Sequence, residues 1–178
     1  MDKREFRKKV RSIYARYDME YRRKASEGIM DRLEASEEFI RSSRILLYWS
    51  LPDEVYTHDF ILRWSVKKEI FLPSIAGEAL KIRKFSGIGA LVSGEHYGIP
   101  EPEGRDYTLE DMDLVVVPGV AFDFRNGRMG RGKGYYDRLL AGKTDRTAAV
   151  GICFGYQLFE KIPIAEHDIR MDKIITDR

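Results

Sequence analysis

The chain of 178 residues holds one cysteine, Cys153, and six prolines. A single thiol excludes an intrachain disulfide and fits a reducing compartment, so a cytoplasmic location is expected. No apolar run approaches the roughly 20 residues that span a bilayer, which argues against a membrane partner. The N-terminus lacks the apolar core and small-residue cleavage site of a secretory signal, and Asp2 and Glu5 weaken a transit-peptide reading. Histidine is scarce, and His58, His96 and His167 show no metal-ligand spacing. Internal repeats, low-complexity tracts and linkers are missing too, so residues 1–178 are read as one domain. There is little excess of either charge: the net value is +2, too small to argue for nucleic acid. It is unevenly spread, since residues 1–24 hold ten Lys/Arg against four Asp/Glu, leaving −4 on the remaining 154.

What is present is a pattern of short apolar strands separated by helices. Phe6, Val10, Ile13, Tyr14 and Tyr17 recur at helical spacing and predict a helix over 3–17. A second helix follows at about 19–34, with Asp18 as N-cap and Ala25, Ile29 and Leu33 on one face. Arg44–Trp49 reads as a continuously apolar strand, and a helix runs from Thr57 or His58 to about Lys67. Glu69–Leu72 is a strand ended by Pro73. Leu80–Phe85 alternates apolar and basic residues and should be half-exposed. Residues 86–108 read as an ordered loop over a site or a connector. Leu114–Val117 and Ala148–Ile152 are buried strands, a helix begins at Gly134–Leu140, and Lys173–Thr176 is a last short strand. This order implies an α/β fold, a mainly parallel sheet covered by helices on both faces. Ligands in such sheets sit beyond the carboxyl ends of the strands, which singles out the loops 50–57, 118–133 and 153–157.

The densest chemistry lies in Asp113–Leu140, where a buried strand opens into a glycine-rich basic loop and closes into a helix. Four glycines between Gly127 and Gly134 are interleaved with Arg128, Arg131 and Lys133. Glycines let backbone amides approach an anion, the cations offset its charge, and the following helix adds its positive end. The loop satisfies G-x-x-x-x-G-K, yet Gly134 stands where a P-loop needs Ser or Thr for magnesium. Lys133 can neutralise transferring phosphoryl oxygens while Arg128 and Arg131 clamp others. Asp137, one helical turn beyond Lys133, could hold the metal instead, with Asp172 as a candidate second carboxylate. Tyr135 and Tyr136 follow Lys133 and are divided between ligand contact and packing.

Two further clues lie outside that loop. On a helical wheel Lys3 falls within the apolar stripe of the first helix and Arg7 at its edge, whereas Arg4, Lys8 and Arg11 point elsewhere. A basic residue on a core-facing stripe calls for an anionic partner, and it suggests a second wall of a phosphate site. Trp49 could stack on a heterocycle and Glu54 could hydrogen-bond one. Cys153 at a buried strand end reads as an inert core thiol. His167-Asp168 could form a relay, but no Ser or Cys nucleophile motif stands beside it.

PGVAFDFRNGRMGRGKGYYDRLL closely resembles the signature of the 5-formyltetrahydrofolate cyclo-ligase family, GRGKGYYD (Gly130–Asp137) being the most specific part. KREFR, YWSLPDEVYT, YGIPEP and HDIRMDKIIT resemble further family segments and occur in the same order. The resemblance implies a fold similar to the NagB/RpiA/CoA-transferase group. It also implies cyclisation of 5-formyltetrahydrofolate to 5,10-methenyltetrahydrofolate with ATP and magnesium, giving ADP and phosphate through a phosphorylated formyl group. Matched position by position, Lys3, Arg4, Arg7, Arg128, Gly130, Arg131, Gly132, Lys133, Gly134, Tyr135 and Tyr136 would contact ATP. Trp49, Glu54 and Arg131–Tyr135 would contact the folate, and Asp137 and Asp172 would bind Mg2+. Lys133, Arg131 and Tyr135 would act on the reacting groups. Trp49 departs from the smaller apolar residues common there. The partner expected is the small-molecule substrate, 5-formyltetrahydrofolate, bound by a monomer without nucleic-acid or membrane partners. Two other classes remain on sequence grounds: an RNA-binding protein using the basic first helix and loop, and a sugar-phosphate or CoA-type enzyme on the same fold.

Overall fold

The computed structural model describes residues 1–94 and 98–178. His96 and Tyr97, the first residue of YGIPEP, lie outside the described residues. Five helices, α1 (Lys3–Tyr14), α2 (Met19–Glu34), α3 (Glu37–Arg41), α4 (His58–Trp64) and α5 (Tyr135–Leu140), are distributed among eleven strands along the described chain. The strands are β1 (Arg44–Leu46), β2 (Glu69–Ala76), β3 (Ala79–Lys84), β4 (Leu91–Ser93), β5 (Pro100–Pro102) and β6 (Leu114–Val117). They continue with β7 (Ala121–Asp123), β8 (Arg128–Met129), β9 (Ala148–Cys153), β10 (Leu158–Phe159) and β11 (Lys173–Thr176). The main sheet has the order β11-β9-β6-β1-β2-β3, parallel throughout except for the β2–β3 pair at one edge.

Alternation along the strands builds two cores. Ile45, Leu47, Ile70, Leu72, Leu114, Val116, Val150 and Ile152 face α2, α3 and α4 through Ile29, Leu33, Phe39 and Ile61. The alternate residues Leu46, Phe71, Val115, Val117 and Ala149 face Phe122, Leu140, Met112 and Met171. Coverage by helices on both faces is therefore only half right. Among the described residues the second face carries α5 alone, six residues long, and is completed by a 3-10 turn at Leu109–Asp111 and a three-stranded sheet β10-β7-β8. Phe122 of that small sheet packs so tightly on β9 that a Cβ on Gly151 would stand 2.5 Å from its ring. Only glycine tolerates that approach.

The first two helices start at their local signals. Asp18 accepts from the Tyr21 amide, and Asp2 makes a capping box with Glu5. Helix α1 stops at Tyr14, three residues before the predicted end, but its stripe is correct. Phe6 and Val10 pack on Ala121, Met129 and Ile162, while Ile13, Tyr14 and Tyr17 reach the main core. Pro73 does not end β2, which runs on to Ala76. Glu69 and Phe71 turn their backbone groups toward β1, bonding Ser43 and Leu47. Pro73 is next in that series, and it faces the side where β1 has already left the sheet, so its missing N–H leaves no ladder bond unmade.

Candidate functional site

The chain runs from β1 to β2 on one side and returns to β6 on the other, so the sheet reverses direction of build between β1 and β6. Ligands bind at such switch points because the two loops leaving the strands diverge there. A cavity of about 340 Å³ occupies this place. It is lined by Tyr48, Trp49 and Glu54 after β1, by Pro118 and Gly119 after β6, and by the whole loop from Arg128 to Asp137. Lys3 and Arg7 of α1 and Asp168 close another side.

The loop is held open by its own hairpin. The buried carboxylate of Asp123 accepts from the amides of Arg125, Gly127 and Ile162 at 3.0, 2.8 and 3.2 Å. Asn126 turns the chain in the left-handed region at φ 62°, which Asn tolerates better than most residues. This makes FDFRNG a β7–β8 turn, and the glycine loop begins from its far strand. Gly132 and Gly134 then take φ values of 108° and 68°, where a side chain would be strained. The six-residue α5 that follows has no side-chain cap and contributes less positive end than the sequence suggested.

The cations differ in how far they are committed. Arg128 is buried, with its guanidinium on the Pro118 carbonyl at 3.2 Å and on Asp137 at 3.0 Å, so it braces the loop rather than standing free for an anion. Arg131 bridges to Asp53 at 2.6 Å and Glu54 at 3.2 Å. Burial pushes the Glu54 carboxyl above its ordinary value, against the opposing pull of the Leu51 amide and Arg131. Arg7 donates to the Gly130 carbonyl at 2.8 Å and ties α1 to the loop. Lys3 pairs with Asp168, supplying the anionic partner its place on the stripe required. Burial disfavours the Asp168 carboxylate, but Lys3 and the Ala165 amide outweigh it and hold its pKa below the ordinary aspartate value. Among the described residues Lys133 makes no side-chain hydrogen bond or ion pair, and it is exposed on the cavity wall. Arg4 is exposed and lies outside the cavity wall, so α1 contributes two of its expected three cations.

Trp49 stacks on His58 with ring centroids 3.9 Å apart and 17° between planes, which fixes an aromatic wall. Tyr135 donates weakly to the Gly77 carbonyl at 3.4 Å. The Tyr136 hydroxyl is buried beside the cavity without a protein partner among the described residues, an orphan that a ligand could satisfy. Cys153 is fully buried and burial pushes its thiol up, as expected of an inert core residue.

The expected pairing of Asp137 with Asp172 is not formed. Asp172 precedes β11 and sits at the amino-terminal edge of the sheet, away from the strand ends that carry the cavity. Its carboxylate accepts from the Ala149 amide at 2.7 Å and pairs with Lys143 at 3.1 Å. Asp168 takes its place on the cavity wall. The amide of Ile169, the next residue, donates to Asp137 at 3.3 Å, which brings Asp168 and Asp137 to one wall. No group of three or more His, Cys, Asp or Glu among the described residues is placed to hold a metal. Asp137 and Asp168, each paired here with a cation (Arg128 and Lys3), match in number the one or two protein carboxylates through which magnesium is commonly bound together with substrate phosphates and waters. From sequence Asp168 reads only as a relay partner of His167. The signal that identifies it is the unmet need of Lys3 for an anion.

A family model described as the 5-formyltetrahydrofolate cyclo-ligase family matches residues 1–177. The 5-formyltetrahydrofolate cyclo-ligase of Mus musculus is 27% identical over 97% of this chain and 90% of its own length. The NMR structure of Aquifex aeolicus 5,10-methenyltetrahydrofolate synthetase is 36% identical, with a TM-score of 0.89 over 100% of this chain and 91% of that one. A 5,10-methenyltetrahydrofolate synthetase from Mycoplasma pneumoniae, 21% identical, gives a TM-score of 0.81 over 100% of both chains and bears on the fold alone.

Proposed function

The chain belongs to the 5-formyltetrahydrofolate cyclo-ligase family, and from that premise we propose that it converts 5-formyltetrahydrofolate and ATP to 5,10-methenyltetrahydrofolate, ADP and phosphate. The observation that carries the reading is one cavity at the switch point that joins a cation-rich glycine loop to an aromatic wall. Phosphate and a flat heterocycle can meet there.

The formyl oxygen attacks the γ-phosphorus and ADP departs. The N10 lone pair then adds to the formyl carbon, the C–O bond breaks, and phosphate carries the oxygen away while the N10 proton goes to solvent. Phosphorylation is needed because oxide is a poor leaving group. Lys133, uncommitted among the described residues and exposed to the cavity, follows the charge that builds on the transferred phosphoryl group. Lys3, Arg7 and the amides of Gly130–Tyr136 hold the nucleotide phosphates. Arg131 and Tyr135 stand between nucleotide and folate, and Trp49 and Glu54 take the folate. Arg128 acts through Asp137, fixing its position. Asp137 and Asp168 would hold Mg2+, which when bound would neutralise phosphate charge. The same reading takes the fold as similar to the NagB/RpiA/CoA-transferase group and the enzyme as a cytoplasmic monomer without nucleic-acid or membrane partners.

The test is direct. Purified protein is mixed with 5-formyltetrahydrofolate, magnesium and ATP, and the absorbance of the methenyl product is followed at neutral pH. An ATP-dependent rise is expected, and its absence from folded protein refutes the reading.

A further inference from the structure

A further wall of the cavity is built by β2, β3 and β5. Pro73 and Ile75 from β2, Leu80 from β3 and Ile99 before β5 make it apolar. One carboxylate interrupts it. Glu101 is only 7% exposed, lines the cavity, and has no role in the phosphate chemistry above. Its Oε2 accepts from the Ser74 hydroxyl at 2.7 Å and its Oε1 from the Ile75 amide at 3.0 Å. The chain crosses close over it: a Cβ on Gly94 would stand 2.8 Å from the carboxyl group. The group is thus fixed in place, and each oxygen, carrying one hydrogen bond from the described residues, keeps a lone pair to offer.

A buried acid in an apolar wall selects a ligand edge that donates hydrogen bonds, because an acceptor edge would be repelled and left unpaired. The two co-substrates differ at this point. Adenine presents its amino group beside a ring nitrogen that accepts. The 2-amino-4-oxo ring of a reduced folate presents two parallel donors, the ring N3–H and the 2-amino group, which match the two oxygens of a carboxylate. On the premise that the cavity binds 5-formyltetrahydrofolate, we propose that Glu101 is the residue that recognises the pterin ring, through its N3–H and 2-amino edge. The ring then lies against the β2–β3–β5 wall, and its formyl group points toward the glycine loop. Glu101 sets specificity and does not take part in phosphoryl transfer.

The test compares Glu101→Gln with wild type on two substrates, 5-formyltetrahydrofolate and its analogue with a methyl group in place of the 2-amino group. Hydrogen bonds to a charged group lead us to expect a folate KM raised about tenfold to a hundredfold in the variant. The KM for ATP and the kcat at saturation stay within about twofold, a split that general loss of structure would not give. Wild type should discriminate against the analogue by a similar factor, and Glu101→Gln should discriminate little. An unchanged folate KM, a rise confined to the ATP KM, or discrimination that persists in the variant overturns the proposal. Should Glu101→Gln fail to fold, wild type binding the analogue as tightly as the natural substrate overturns it equally. Wild type that turns over no 5-formyltetrahydrofolate with ATP refutes the parent reading instead. An active wild type indifferent to Glu101 refutes this proposal alone.

Discussion

Replacing Lys133 by alanine removes a cation that no described side chain holds in the folded protein. With no hydrogen bond or ion pair to lose and an exposed position, the change should alter folding stability by no more than about 0.5 kcal/mol. Catalysis is another matter. A preorganised charge aimed at the transferring phosphoryl group contributes about 3–4 kcal/mol to the transition state, so turnover should fall roughly a hundredfold to a thousandfold. Arg128, five residues earlier in the same loop, provides the contrast. Its pair with Asp137 is buried, and Arg128→Ala leaves that carboxylate without its cation, a loss of about 3–5 kcal/mol in stability. The assay is paired: initial rates of methenyl formation at saturating ATP and folate, and urea midpoints on the same preparations. Lys133→Ala should separate the two readouts and Arg128→Ala should move both. A Lys133→Ala enzyme with wild-type kcat, or one that loses activity only because it unfolds, refutes the assignment.

Three other outcomes follow from the same geometry. Asp168→Asn should raise the magnesium concentration for half-maximal rate by at least about tenfold, the loss seen even for outer-shell ligands. Asp172→Ala should leave that concentration unchanged and lower stability by about 1–3 kcal/mol through the orphaned Ala149 amide; the reverse pattern restores Asp172 as a ligand. Gly151→Ala drives a methyl into the Phe122 ring and should cost about 1–3 kcal/mol in a urea titration. Gly142→Ala, with nothing within 4 Å, should cost none of this, and equal midpoints would contradict the packing account. Burial raises the Glu54 pKa in the folded state, so the folded protein binds the extra proton between the ordinary and the raised value. Stability therefore declines as pH rises through that window, and Glu54→Gln should remove the decline in urea midpoints taken from about pH 4 to 7. A variant whose profile matches wild type there shows that Glu54 is not the group responsible.

The parts legible from the sequence were those written locally. Leu114–Val117 and Lys173–Thr176 are strands with the expected bounds, and Asp18 caps α2 as expected. The cavity lies at two of the three loops chosen by strand polarity, and Lys3 found the anion its position demanded. What stayed hidden depends on which elements meet. Strands β7 and β8 are three and two residues long, below any periodicity, and exist because Asp123 gathers three amides around the turn. Pro73 looks like a terminator until the departure of β1 is known. Asp168 and Asp172 are both acids shortly before one strand, and only the sheet register shows that Asp172 is spent on the Ala149 amide. Glu101 could not be told from a solvated loop acid, since its burial comes from Gly94 crossing over it.

In the proposed mechanism the formyl oxygen attacks phosphorus before the ring closes. 5-Formyltetrahydrofolate labelled with oxygen-18 in the formyl group, turned over once with unlabelled ATP in unlabelled water, places that claim on a single atom. Mass analysis of the released phosphate should find one labelled oxygen per methenyl group formed. Unlabelled phosphate, with the heavy oxygen lost to water, would contradict the account.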